Sequence, residues 1–275
     1  MDFFERLSKE YNINLNEQQK MAVVHDTGPA LVLAGPGSGK TTVIISRLAY
    51  LVQQKGIDPS RILSMSFNRA AAIEMEERYD RIFGGYSGGK IKFSTLHSFC
   101  YQIVRNYQRS RNLDYKLIEG LEGKESKRFI LKDIYYKVNN ENINDDELEQ
   151  LINEIGYIKN KMIQVIDNKE FSTHNISQIF NEYEAYKRNN KLIDFDDMLT
   201  LAYAILSKHP DILDFYRKRY KYVQVDEGQD LSKIQFLLVK MLVQPLCNLF
   251  LVADDDQSIY GFRGAEPDYI LSFRE

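Results

Sequence analysis

The stretch "AGPGSGKTT", residues 34–42, follows the apolar run "ALVL" and precedes "VIISRLAYLV", whose apolar residues recur with helical spacing. Strand, glycine-rich turn and helix in that order constrain this chain more than any other feature. They place the turn at the carboxyl end of a strand, with a helix N-terminus aimed back at it. Gly35, Gly37 and Gly39 let successive backbone N–H groups turn inward on a polyphosphate, and the helix adds its positive end. Pro36, Ser38 and Thr42 complete the set expected to bind ATP. Lys40, read as an exposed side chain on the loop, is expected to reach the terminal phosphates, and Thr41 to offer its hydroxyl to Mg²⁺. Ala34 stands where the strict pattern has glycine. A glycine-rich turn with an incidental lysine is the alternative, and the flanking strand and helix weigh against it.

The same rhythm recurs along the chain. "RILSMSF" (61–67) is a strand-length apolar run followed by helix-forming sequence, and "KIKFSTLHSF" (90–99) repeats the pattern. "YVQVDE" (222–227) and "NLFLVADDD" (248–256) are strand-like again, with helical spacing over 231–243 between them. Repeated βαβ units predict an α/β fold, a parallel sheet flanked by helices. Residues 107–193 are rich in Lys, Glu, Asn and Ile, with apolar residues at three- and four-residue intervals. They read as an inserted helical subdomain, between a first half at 1–106 and a second half at 194–275.

Composition narrows the class. With 44% hydrophobic and 27% charged residues neither a disordered chain nor a membrane protein is expected, and the charged first residues do not read as a secretory signal. A cytoplasmic location is expected. Cys100 and Cys247 are the only cysteines, which excludes a disulfide scaffold and a four-cysteine zinc site. A net charge of -3 argues against a nucleic-acid coat protein but leaves room for a local basic groove.

A phosphate cradle needs an acidic partner, and "YVQVDEGQD" (222–230) supplies one at a strand end. Asp226 is expected to hold Mg²⁺, and Glu227 to orient and deprotonate the water that attacks the γ-phosphate. Upstream, "LNEQQKMAV" (15–23) offers Gln19, whose amide matches the N7/N6 edge of adenine. An exposed helix start explains that segment equally well.

Taken in order, these segments resemble the N-terminal part of superfamily 1 DNA helicases of the UvrD/Rep/PcrA type. "LNEQQKMAV" is similar to the family's Q motif, "AGPGSGKTT" to its Walker A loop and "VDEGQD" to its Walker B box. "SFNRAAAIEM" (66–75) and "STLHSF" (94–99) resemble its DNA-contacting motifs, "LIDFDDML" (192–199) the segment closing its helical insertion, and "VADDDQSIYGFRGA" (252–265) its coupling motif.

The resemblance implies a RecA-like P-loop NTPase fold, ATP and Mg²⁺ as cofactors, and ATP-driven 3′ to 5′ movement on single-stranded DNA and at single/double-strand junctions. It implies that Gln257 senses the γ-phosphate, that Phe262 stacks on a base, and that Tyr260 and Arg263 lie along the same surface. Stacking suits a motor that must walk any sequence, since every base has a π-face. Phe67, Asn68, Thr95 and His97 match further DNA-contacting positions; Phe67 and Phe262 as core aromatics, and His97 as a structural histidine, are the alternatives.

Two departures stand out. Gly228 replaces the usual aromatic residue of the Walker B box, which predicts looser packing behind Glu227. Ala70 stands where the first DNA motif commonly has lysine, as in the helicase–nuclease branch of AddA and RecB. Family members continue into a second RecA-like domain that supplies arginine fingers in cis. Without it the chain is expected to bind ATP and hydrolyse it poorly. A stand-alone ATP-gated DNA-binding module, or one arm of a helicase–nuclease, are the competing functions.

Overall fold

The computed structural model describes residues 1–84 and 89–254. Its strands are β1 (Ala30–Leu33), β2 (Ile62–Ser66), β3 (Lys92–Thr95), β4 (Lys116–Leu117), β5 (Leu192–Ile193), β6 (Tyr222–Val225) and β7 (Leu249–Ala253). Five form one sheet in the order β1-β7-β6-β2-β3, and every pairing in it is parallel. β1 coincides with the run "ALVL", whereas β2, β3, β6 and β7 are shorter than the stretches read from sequence, which include residues flanking the strands.

Helices cover both faces. On one side lie α1 (Phe3–Tyr11), α2 (Glu17–Val24), α3 (Lys40–Gln53) and α4 (Arg69–Phe83), packed on Ile62, Phe250 and Val252. On the other, α5 (Leu96–Ser110) and three later helices cover Leu63, Met65, Val223, Val225, Leu249 and Leu251. Alternate residues of one strand thus feed opposite cores, and all five residues of β2 and of β7 are buried. Strands covered on both faces read as continuous apolar runs for this reason.

Between α5 and the later helices come α6 (Lys127–Asn139), α7 (Asp145–Asn160) and α8 (Ile176–Asn189). They enclose a separate core that includes Leu131, Leu148, Leu151, Ile155, Ile179 and Tyr183. The short parallel pair β4–β5 joins this unit's two ends, with Lys116 opposite Leu192. The chain then continues through α9 (Phe195–Lys208), α10 (Pro210–Arg219) and α11 (Lys233–Val243). None of the described helices is long and apolar enough to cross a membrane.

Parallel strands align their carboxyl ends, so five connections gather along one edge, where ligands of open α/β sheets bind. The connections that leave β1, β7 and β6 lead to Lys40, Asp254 and Asp226; Phe67 follows β2, and Thr95 ends β3. One half of the edge therefore carries the phosphate cradle, and the other half carries the segments expected to meet DNA.

Candidate nucleotide and nucleic-acid sites

The cradle leads directly from β1 into α3. Gly37 and Gly39 have φ of 70° and 82°, a region that L side chains rarely adopt. At Gly39 a Cβ would also approach Gln19 Nε2 to 3.2 Å. Gln19 thus lies against the loop, but its amide is already engaged: Nε2 donates to the Ser38 carbonyl at 2.9 Å and Oε1 accepts from Asn16 N–H at 2.9 Å. The Thr42 hydroxyl accepts from Arg78 at 2.8 Å. Thr41 lies in the first turn of α3, half-buried.

Lys40 is not the exposed loop side chain that the sequence suggested. Its ammonium pairs at 3.0 Å with Asp254, and the two side chains are 13% and 0% exposed. The reason is topological: β1 and β7 are neighbours, so the first residue of α3 and the last described residue of the β7 turn meet across the sheet edge.

Opposite the cradle, Asp226 ends β6, its N–H donating to Met65 at 2.9 Å and its Oδ1 accepting from Glu227 N–H at 3.0 Å. Burial, reinforced by the neighbouring Glu227 charge, pushes the Asp226 carboxyl up to about 6. The same two causes push Asp230 up to about 6. Among the described residues its Oδ1 is buried without a hydrogen-bond donor. Glu227 adopts φ 55° and ψ 47°, left-handed backbone that costs a non-glycine residue about 1–2 kcal/mol. Gln229 holds it there, donating to Glu227 Oε2 at 2.6 Å and accepting from Asp254 N–H at 2.9 Å.

Gly228 does not loosen this turn. A Cβ there would lie 2.7 Å from Leu251 Cγ, a side chain buried in the core at 1% exposure. Gly228→Ala is expected to cost about 2 kcal/mol through overpacking, read as a lower denaturation midpoint in urea. Unchanged stability would show that Leu251 has room to move.

On the other half of the edge, Phe67, Asn68, Thr95 and His97 line a single cavity of about 640 Å³ between the sheet and the helical insertion. Asn68 Oδ1 caps α4 by accepting from Ala71 N–H at 2.8 Å, and Thr95 Oγ1 caps α5 by accepting from Ser98 N–H at 3.1 Å. Two helix N-termini therefore open into this cavity, and their dipoles favour anions such as phosphates. Phe67 and His97 are half-buried. Gln257, Tyr260, Phe262 and Arg263 lie outside the described residues.

Sequence reasoning missed two features. Phe195, 51% exposed, opens α9 and joins the cavity wall; its place in "FDD" directly after a capping aspartate was the available signal. Behind it, Lys159 contacts Glu184, Asp194 and Asp197 at 2.9, 3.1 and 2.7 Å, and Lys187 contacts the same three at 2.7, 3.0 and 2.6 Å. These carboxylates are grouped as metal ligands would be, yet two ammonium groups already fill the space between them. Despite burial that opposes its charge, Asp194 is held well below the usual carboxylate range by Lys159 and Lys187.

A glycine loop and lysine on a strand–helix junction, faced by acidic strand ends across a parallel sheet, define a P-loop NTPase domain. More specifically, the chain belongs to the UvrD/REP helicase N-terminal domain family, whose profile matches residues 15–275. It is 35% identical over 270 residues to the ATP-dependent DNA helicase PcrA of Staphylococcus aureus, and 34% identical to that of Staphylococcus epidermidis. Both alignments cover 95% of this chain and 36% of the relative, so the chain spans about a third of their length.

Proposed function

We propose that this chain is the ATP-binding, single-stranded-DNA-contacting part of an ATP-dependent DNA helicase, with Mg²⁺ as the metal. One observation supports this reading above the rest: both sites sit on one sheet edge and share a wall. Phe67 and His97 on the cavity side, and Asp226 and Glu227 on the nucleotide side, border a common gap of about 10 Å³, barely the room of one water.

The residues fit a divalent cation. Asp226 and Asp230 are ionised only at a cost, Asp230 Oδ1 has no donor among the described residues, and Lys40 is already paired with Asp254. Asp226 and Thr41 would hold Mg²⁺, which when bound draws negative charge from the phosphates. Gly35–Gly39 would wrap the phosphates with backbone N–H groups. Lys40 would exchange Asp254 for the terminal phosphate, and Glu227 would take the proton of the attacking water. Gln19 would read adenine only after giving up a bond to Ser38 or Asn16.

DNA phosphates would meet the N-termini of α4 and α5, and bases would stack on Phe67 and Phe195. Gln257, Tyr260, Phe262 and Arg263 keep their roles in sensing ATP and gripping the strand. A second RecA-like domain in cis, junction binding and 3′ to 5′ movement complete the proposal, with 107–193 as the helical subdomain between sheet halves 1–106 and 194–275.

The test is titration of the chain with a non-hydrolysable Mg–ATP analogue and, separately, with a fluorescent oligonucleotide. Both should bind. Phe195→Ala should cost about 1–3 kcal/mol of oligonucleotide affinity, regardless of base sequence, while melting stays near wild type because the ring is half in solvent. No binding of either ligand would sink the reading.

A further inference from the structure

Asn160 is the last residue of α7 and sits where three helices meet. Its amide donates to Asp196 Oδ1 at 3.1 Å and to the Gly156 carbonyl at 2.8 Å, and its Oδ1 accepts from Ser232 Oγ at 3.0 Å. Asp196 lies in the first turn of α9, and Ser232 caps α11. Asn160 and Ser232 are 9% and 3% exposed, so these bonds are sheltered from water. All three residues border the cavity assigned to DNA.

One side of this junction is anchored. Lys159 precedes Asn160, and Asp194 and Asp197 flank Asp196; all three belong to the buried ionic cluster. The other side is the loop that runs from Asp226 to Ser232. Its left-handed residue, Glu227, keeps an unfavourable backbone only because its surroundings over-determine it. Gln229 fixes the nucleotide end of that loop, whereas Ser232, held by Asn160 and by Gln235 Oε1 at 2.8 Å from its N–H, fixes the other end.

We infer that Asn160 is a positioning residue that links occupation of the cavity by single-stranded DNA to the geometry of Glu227 at the nucleotide site. The inference rests on the proposed assignment of the two sites. A strand seated in the cavity lies against the junction, and any displacement of α7 relative to α11 reaches Ser232 through a single hydrogen bond. From there it reaches the loop that carries Glu227.

Linkage measures this directly. The dissociation constant of a fluorescent oligonucleotide is determined with and without a saturating non-hydrolysable Mg–ATP analogue, and the ratio is the coupling factor. The reciprocal titration, nucleotide with and without DNA, must return the same factor. In the wild-type chain the factor is expected to be about 5 or more in one direction. Ser232→Ala, which removes one hydroxyl and leaves the N–H to Gln235 in place, and Asn160→Leu should each bring it to within about twofold of unity. Because the factor is a ratio, a uniform loss of affinity for one ligand cancels.

If Asn160→Leu fails to fold, Ser232→Ala decides alone. Coupling that persists undiminished in Ser232→Ala overturns the inference. So does a wild type that binds both ligands without coupling, an outcome that leaves the proposed function standing. A wild type that binds neither ligand removes both.

Discussion

Replacing Lys40 with alanine is expected to lower affinity for an Mg–ATP analogue by about two orders of magnitude, the worth of a charged hydrogen bond to phosphate, and also to destabilise the nucleotide-free protein. The second effect follows from Asp254, which is fully buried and 3.0 Å from the Lys40 ammonium. Removing one member of a buried ion pair leaves the other's charge less compensated, at a cost of about 3 kcal/mol. Asp254→Asn in the same chain removes that charge, so the double variant should recover most of the lost stability while nucleotide affinity stays low. Thermal melting beside equilibrium nucleotide titration separates the two effects. If Lys40→Ala melts like the wild type, the ion pair does not hold the resting loop.

Asp226→Asn should do the opposite: stabilise the nucleotide-free protein and abolish its response to magnesium. The Asp226 carboxyl is pushed up to about 6, first by burial and then by Glu227. A carboxyl raised in the folded state binds protons there that the unfolded chain has released. Wild-type stability therefore falls as pH rises from about 4 to above 6, a loss of about 3 kcal/mol from this group.

Asparagine never ionises, and its oxygen can still accept from Glu227 N–H as Asp226 Oδ1 does. The variant should thus be more stable than wild type by about 2–3 kcal/mol at pH 7.5, with the gain shrinking toward zero below about pH 4. Urea denaturation at several pH values reads this out. A variant less stable than wild type at pH 7.5 would mean that the site in the resting protein is better solvated than its burial implies. Glu227→Gln is the companion: it should retain magnesium-dependent nucleotide binding and suppress hydrolysis, because an amide cannot accept the water's proton.

The contrast between these two variants shows where functional carboxylates reside. Stability would be better served by neutral groups at Asp226 and Asp230. Their retention as acids fits a site whose charge is meant to be completed by a cation and a polyphosphate, and a strained Glu227 is consistent with the same compromise.

The amino-acid sequence by itself determined the order of strands and helices, the parallel sheet and the phosphate cradle. These are set by short-range rules: apolar runs of strand length, helical spacing, and glycines where backbone must pass through positive φ, as at Gly37 and Gly39. The family resemblance brought out Phe67, Asn68, Thr95 and His97, which the structure gathers around one cavity. What remained hidden depends on which strands lie side by side in the sheet and on contacts between residues far apart in the chain.

Lys40 meets Asp254 only because β1 lies beside β7, and Gly228 is tightly packed only because Leu251 of β7 stands behind it. Asn68 and Thr95 are helix caps, so part of the chemistry expected of their side chains falls to the helix N-termini they expose. Lys159, Lys187, Glu184, Asp194 and Asp197 look like an ordinary solvated charge pattern until three helices converge. Tertiary structure alone decides that they are paired and, Glu184 apart, buried, because desolvation and Coulomb attraction act through space and leave no period in the chain.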